Sequence, residues 1–185
     1  MLARYRVHGH RFEGYWAYTR TVDTYYEAHL DLLDGKIDIE AWQVRTNNYD
    51  NGLVRQVPPI FRHWTHAEGS LIGEGSLVDG TVLGSVLGPG VRVARGAVIS
   101  DSILFNDVTV EAGAQVHRAI VDKRVRIGKG ASLGEIEAPS GTRASPVSAR
   151  GIVLVGKNAR IAESGVVPVG GIVPPGAVWE RGDGP

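Results

Sequence analysis

The chain has 185 residues, with 20 basic and 20 acidic side chains, six histidines and no cysteine. Zero formal net charge gives no global pull toward nucleic acid or anionic membranes, and the lack of thiols excludes disulfides, thiolate metal sites and a cysteine nucleophile. No apolar run approaches the roughly 20 residues of a membrane-spanning helix. No apolar h-region follows Met1-Leu2-Ala3-Arg4-Tyr5-Arg6, so a cytoplasmic protein is the expectation.

Residues 1–20 read as extended, because Tyr5, Val7, Phe12, Tyr15 and Trp16 are strand-prone types. A helix follows over roughly Thr21 to Asp34. Val22, Tyr25, Tyr26, His29, Leu30 and Leu33 recur near helical spacing, Thr24 to Glu27 has the form of a capping box, and Gly35 supplies the stop. Residues 36–70 read as a linker, with turn chemistry in Asn47-Asn48-Tyr49-Asp50-Asn51-Gly52 and a rigid step at Pro58-Pro59.

From Ile72 a six-residue beat takes over. Openers fall at Ile72, Val78, Leu83, Leu87, Val93, Ile99, Phe105, Val110, Val116, Val121, Ile127 and Leu133, then at Val155, Ile161, Val167, Val173 and Trp179. This period is a signature of a parallel β-helix, in which three units close a coil of roughly 18 residues. Openers point inward and stack, with coils about 4.8 Å apart. Glycine concentrates from Gly69 onward, where the chain must turn every few residues. A polar excursion, Glu135 to Pro146, interrupts the beat between Gly134 and Leu154, and Arg181 to Pro185 form a tail. A loop of that length is functional or disordered. The expected fold is therefore mainly β: residues 1–35 a strand-and-helix segment, 36–70 a linker, and 71–185 a β-helix with an inserted loop at 134–154.

An ordered set of motifs resembles the C-terminal part of the ADP-glucose pyrophosphorylase (glucose-1-phosphate adenylyltransferase) family. Phe12-Glu13-Gly14-Tyr15-Trp16 and the helix after it resemble the family's Gly-Tyr-Trp motif and following helix. Trp42-Gln43-Val44-Arg45-Thr46 resembles a Trp-Pro-Ile-Arg-Thr step, Pro58-Pro59 a Pro-Pro before the β-helix, and Gly151-Ile152-Val153-Leu154-Val155 its re-entry after a long loop. The resemblance implies a left-handed β-helix, tetrameric assembly, and a parent reaction joining ATP and glucose 1-phosphate into ADP-glucose and pyrophosphate for glycogen or starch synthesis. Residues 1–35 would then be the end of a catalytic domain whose nucleotide-binding part lies ahead of these motifs. No Gly-rich phosphate loop precedes a strand–helix step here; the glycines of 69–75 and 80–90 belong to repeat corners. The family's Mg²⁺-holding Asp is matched by Tyr18, and Arg20 stands in place of a Gly. A phenol, losing its proton only near about pH 10, is a poor Mg²⁺ ligand. The expectation is a chain without catalytic residues, cofactor or metal of its own.

The resemblance also implies anionic effectors, such as sugar phosphates, bound along the β-helix. Lys157 resembles one family lysine; His117 takes the place of another, where a neutral imidazole would weaken an anion site. Arg118, Lys123 and Arg160, with Arg124 and Arg126, could complete a basic patch, arginine gripping phosphate as a fork; the plainer alternative is a solvated face. Trp42, Trp64 and Trp179 read as packing residues, and Tyr15-Trp16 as a surface that is exposed or held by a partner. Hexapeptide scaffolds also carry zinc carbonic anhydrases, which need three convergent imidazoles, and acyltransferases, which need one positioned base. His117 is the histidine within the repeat as read from Ile72, with His63 and His66 ahead of it. The leading expectation is a regulatory and oligomerisation portion, partnered by itself or by a related catalytic subunit. The alternative is a hexapeptide-repeat acyltransferase using His117.

Overall fold

A computed structural model describes residues 7–38, 57–134 and 147–180. The Trp42-Gln43-Val44-Arg45-Thr46 motif, the 135–146 excursion and the C-terminal tail lie outside these residues.

Short strands wind three to a coil. The first coil contains β1 (Ile60–Phe61), β2 (His66–Glu68) and β3 (Leu71–Ile72); the second β4 (Leu77–Val78), β5 (Thr81–Leu83) and β6 (Val86–Leu87). The third holds β7 (Arg92–Val93), β8 (Val98–Ser100) and β9 (Ile103–Leu104); the fourth β10 (Thr109–Val110), β11 (Gln115–His117) and β12 (Ala119–Val121). Then come β13 (Arg126–Ile127), β14 (Ser132–Leu133) and, beyond the excursion, β15 (Val153–Val155). The last stretch is β16 (Arg160–Ile161), β17 (Val166–Val167), β18 (Ile172–Val173) and β19 (Val178–Trp179). Every third strand pairs in parallel, which gives three sheets, the first of seven strands and the second and third of six each. These are the faces of a triangular prism of about six coils. The structure starts the first coil at Ile60, ahead of Ile72, so His66 lies on a paired strand (β2 with β5).

The core is a stack of aliphatic ladders. On the first face Val78, Val93, Val110, Ile127 and Ile161 follow in register, all buried. Two expected openers move by one residue. Val82 and Leu104 are the buried members, while Leu83 and Phe105 are only half-buried. The cause is a shorter corner. Residues stack seventeen apart in the middle coils, because the edge joining the second and third faces turns on one left-handed residue: Gly84 (φ 50°), Asp101 (φ 47°) or Arg118 (φ 45°).

That edge carries a serine ladder. Ser70 Oγ accepts the Ser85 amide (3.1 Å), Ser85 Oγ the Ser102 amide (3.0 Å), and Ser102 Oγ the Ala119 amide (3.1 Å). Ser85 and Ser102 each donate to the carbonyl two residues back. Buried amides that a tight corner leaves without a strand partner are thus satisfied. At the far end Trp179 packs on the core and its Nε1 donates to the Val166 carbonyl, as its reading as a packing residue requires. Trp64 is a correction: it is 61% exposed, with the Arg95 guanidinium 4.3 Å from its ring centroid.

The helix α1 spans Val22–Leu33. Its capping box uses Thr21 and Thr24, three residues ahead of the expected Thr24–Glu27 pair. Thr21 Oγ1 accepts from the Thr24 amide, and Thr24 Oγ1 accepts from the Thr21 amide. Gly35 follows the Asp34 C-cap in left-handed conformation (φ 70°). Residues 7–20, expected as strand, form none. Strand propensity is realised only against a neighbouring strand, and none of the described strands pairs with this segment.

Candidate functional site

The helix crosses the outer surface of the third face. Ile103, Ile120 and Leu154 form an outward ladder there, and Tyr26, Val22 and Leu30 of α1 pack with them, Ile152 and Phe105. This cover explains why Ile103, on an outward position, is only 1% exposed. The Tyr26 hydroxyl donates to the Asp101 carbonyl at 2.6 Å. Burial pushes the Tyr26 phenol above its usual value, and the Asp101 charge adds to the rise.

A second attachment ties α1 to the segment that follows the excursion. Asp23 accepts from the Ser148 hydroxyl (2.6 Å) and the Ala149 amide (3.0 Å). Ser148 Oγ in turn accepts the amides of Arg150 and Ile152, both at 3.2 Å. Arg150 pairs with Glu27 one helical turn after Asp23. The Asp23 carboxyl is held below the usual carboxylate range, chiefly by the Ser148 hydroxyl; burial opposes this, and the Ala149 and Arg150 amides and the Arg150 charge add to the lowering.

The structure divides the five expected site residues between two edges of the prism, with α1 spanning the face between them. Lys123 and Lys157 share the edge joining the third face to the first. They occupy equivalent corner positions in successive coils: the Asn158 amide donates to the Lys123 carbonyl, and the Gly176 amide to the Lys157 carbonyl. The neighbouring Arg124 Nε donates to Asn158 Oδ1 at 3.0 Å. Arg160 opens the next strand and lies beside Arg126 on the outer ladder of the first face. Arg126 is paired with Glu111. Among the described residues, by contrast, the side chains of Lys123, Lys157 and Arg160 make no hydrogen bond or ion pair. Three unneutralised cations within a coil or two of one another attract a multivalent anion.

His117 and Arg118 lie on the other edge. His117 Nδ1 is 2.9 Å from Ser100 Oγ and 3.8 Å from Asp101 Oδ2, so the ring is held through that nitrogen. Arg118 takes the left-handed corner conformation, and Gly134 forms the corresponding corner in the coil below. A Cβ at Gly134 would lie 2.1 Å from the His117 carbonyl oxygen. Helix α1 faces both edges. Burial, and after it the charge of Asp122 beside Lys123, raises the Tyr25 phenol; Tyr26 meets Asp101 and Arg118 on the other side.

The residues at the implied Mg²⁺ position do not suit a divalent cation. Tyr18 stands where a carboxylate is implied, Arg20 carries its guanidinium 5.8 Å from the Tyr18 ring centroid, and Trp16 lies against the same ring at 6.3 Å. Among the described residues no group of three or more His, Asp or Glu could hold a metal ion. Nor is any described helix long and apolar enough to cross a membrane.

Sequence reasoning missed the attachments of α1. Asp23 and Ser148 are 125 residues apart, and nothing local in either segment marks the pair. The Ser100–His117 contact had a signal in the seventeen-residue coil period, which aligns the two positions.

Comparison with known proteins places this architecture. Residues 61–155 match the family model described as GlmU-like, C-terminal hexapeptide. The chain is 35% identical over 158 residues to a glucose-1-phosphate adenylyltransferase of Frankia casuarinae, covering 83% of this chain and 38% of that protein. It is 32% identical over 149 residues to one from Cutibacterium acnes, covering 77% and 35%. Against glucose-1-phosphate adenylyltransferase 1 of Vibrio vulnificus the identity is 33% over 170 residues, covering 84% and 39%. The chain thus spans under two-fifths of the length of these relatives.

Proposed function

We propose, from the premise that the chain belongs to the GlmU-like, C-terminal hexapeptide family and corresponds to the C-terminal part of glucose-1-phosphate adenylyltransferases, that it is a regulatory and assembly portion of such a protein. In this reading it does not make ADP-glucose alone. It binds an anionic effector, a sugar phosphate, at the Lys123–Lys157 edge with Arg160. It passes the effect to a catalytic subunit through α1.

The observation that carries the reading is the placement of α1. The helix is bound to the excursion's return segment through Asp23 and Ser148, lies over the third face, and faces both basic edges. An anion drawn to Lys157 changes the field at Asp122 and Tyr25, on the underside of the helix. A ligand shifts such an arrangement only by its differential affinity for two positions of the helix. His117 and Arg118, at the opposite edge, offer a second and weaker anion contact.

A second reading is favoured by one contact. His117, fixed at Nδ1 by Ser100, has the orientation that a general base needs, as in a hexapeptide acyltransferase. The test is an assay of the full chain for ADP-glucose synthesis from ATP and glucose 1-phosphate, and for acyl transfer from acetyl-coenzyme A. The regulatory reading expects neither activity. ADP-glucose formation by the chain alone overturns it, and acyl transfer abolished by His117→Ala replaces it with the second.

A further inference from the structure

The corner that joins the first face to the second is not built alike in every coil. The first and third coils use four residues for it, 62–65 and 94–97, while the second uses two, Asp79 and Gly80. The strands on both sides stay in register, so the short corner is a recess between two longer ones. Its backbone lies close against the next coil: a Cβ at Gly80 would sit 2.5 Å from the Ala97 carbonyl oxygen and 2.9 Å from that of Ala94. Trp64 from one side and Arg95 from the other meet across the recess, with the guanidinium 4.3 Å from the ring centroid. The turn that carries Trp64 is fixed. The Arg62 amide donates to Thr65 Oγ1 (3.1 Å), the Thr65 amide to the Arg62 carbonyl (3.1 Å), and Thr65 Oγ1 to the Val78 carbonyl (2.6 Å). Asp79 lies between them, and its Oδ1 is buried with no hydrogen-bond partner. Arg95 rests on the Trp64 ring instead of pairing with that carboxylate. An enclosed carboxylate oxygen without a donor is a standing cost, which a ligand that brings a donor removes.

We propose that this recess binds a neutral pyranose of a glycan. The C–H face of the sugar takes the guanidinium's place on the Trp64 ring, one hydroxyl donates to Asp79, and Arg95, turned to the rim, donates to a sugar oxygen. The chemistry of the three side chains selects this class. A carboxylate only accepts and a guanidinium only donates, so the ligand needs donors and acceptors side by side, which neighbouring hydroxyls supply. Trp64 requires a flat apolar face as well. An anion meets the Asp79 carboxylate, and a cation meets Arg95 with nothing to accept its hydrogens. Asp79 as a whole is half-buried, and the last torsion of an aspartate is soft, so a small rotation presents Oδ1 to a donor that enters the recess. The site lies across the first face from the Lys123–Lys157 edge and does not depend on the regulatory reading.

The test is a titration of the full chain, labelled with nitrogen-15, with maltoheptaose, cellohexaose and mannohexaose, following the amide and indole N–H signals. At least one of these glycans should shift the Trp64 indole N–H and the Asp79 and Arg95 amides saturably. Trp64→Ala removes the stacking face and Asp79→Ala the acceptor; each should weaken that binding roughly tenfold or more. Trp64→Phe, which keeps an aromatic face, should retain most of it. Both alanine variants should fold, since Trp64 is 61% exposed and Asp79 Oδ1 makes no hydrogen bond, and an unchanged thermal midpoint checks this. Adenosine and guanosine, which also offer a planar face, should leave the three signals in place. No saturable shift with any of the glycans, shifts that bypass these residues, or unchanged affinity in either alanine variant overturns the inference. A response to the nucleosides as large as that to the glycans assigns the recess to a base and overturns it too.

Discussion

Ser148→Ala should detach the helix from the β-helix while leaving the coils folded. Ser148 is 4% exposed; it donates to a carboxylate and accepts two amides. The substitution removes a hydrogen bond to a charged group, worth about 1.5–3 kcal/mol, and leaves the buried Ile152 amide without a partner, at about 1–3 kcal/mol. The Arg150 amide lies at an exposed residue and turns to water. About 3 kcal/mol is a fair central figure, and at about 1.4 kcal/mol per decade it raises the opening constant of α1 roughly a hundredfold. Hydrogen exchange resolved by residue is the assay. Amides of Val22–Leu33 should lose protection by that factor, while those of β10 and β13 in the core keep theirs. Ser148→Thr, which keeps the hydroxyl, should restore most of it. If α1 exchanges in Ser148→Ala as in the wild type, the Asp23–Ser148 contact does not hold the helix and the proposed route of regulation fails.

Acid should release the same contact. The folded pKa of Asp23 is depressed, so the stability it contributes is fully present above its unfolded value of about 4 and is lost as pH falls through the folded value. Protection of α1 should therefore drop in acid before that of the coils, and Asp23→Asn should lack this acid step. Gly134→Ala should cost several kcal/mol, seen as a large fall in the denaturant midpoint. Its Cβ meets the His117 carbonyl at 2.1 Å and the site needs φ +74°, a left-handed conformation that costs about 1–2 kcal/mol without a side-chain clash. Arg118→Gly relieves the same kind of strain without a clash and should stabilise the fold by about 1 kcal/mol. If Arg118 contacts the anion, the variant should bind phosphate less well, so its stability and affinity should move in opposite directions.

The periodic part of the fold was legible because each coil repeats the same requirement: an aliphatic residue inward, and a small or left-handed residue at the corner. The two misplaced openers, Leu83 and Phe105, show where a beat of six fails. Leu83 immediately precedes the second-to-third edge at Gly84, and Phe105 comes after the same edge at Asp101, where one residue turns the chain and shortens the coil to seventeen. Trp64 reads from the sequence as a packing residue rather than a ligand platform. Its place at the start of the solenoid leaves one ring face to Arg95 and much of the rest to solvent. The candidate site was legible residue by residue but not as an arrangement. The coil period aligns Lys123 with Lys157 only when the excursion between β14 and β15 is taken as closing its coil in register, as the pairing of β13 with β16 shows. It also separates them from His117 by a full face. The attachment of α1 depends on contacts between residues 123 to 126 positions apart, for which sequence pattern carries no signal.

The most direct test is a calorimetric titration of the full chain with glucose 6-phosphate, repeated with Lys157→Ala and followed by amide exchange of α1. The account predicts saturable binding, weakened at least tenfold in Lys157→Ala, and a change in α1 protection that accompanies binding in the wild type. Absence of binding, or binding that ignores Lys157 and leaves α1 unchanged, would contradict it.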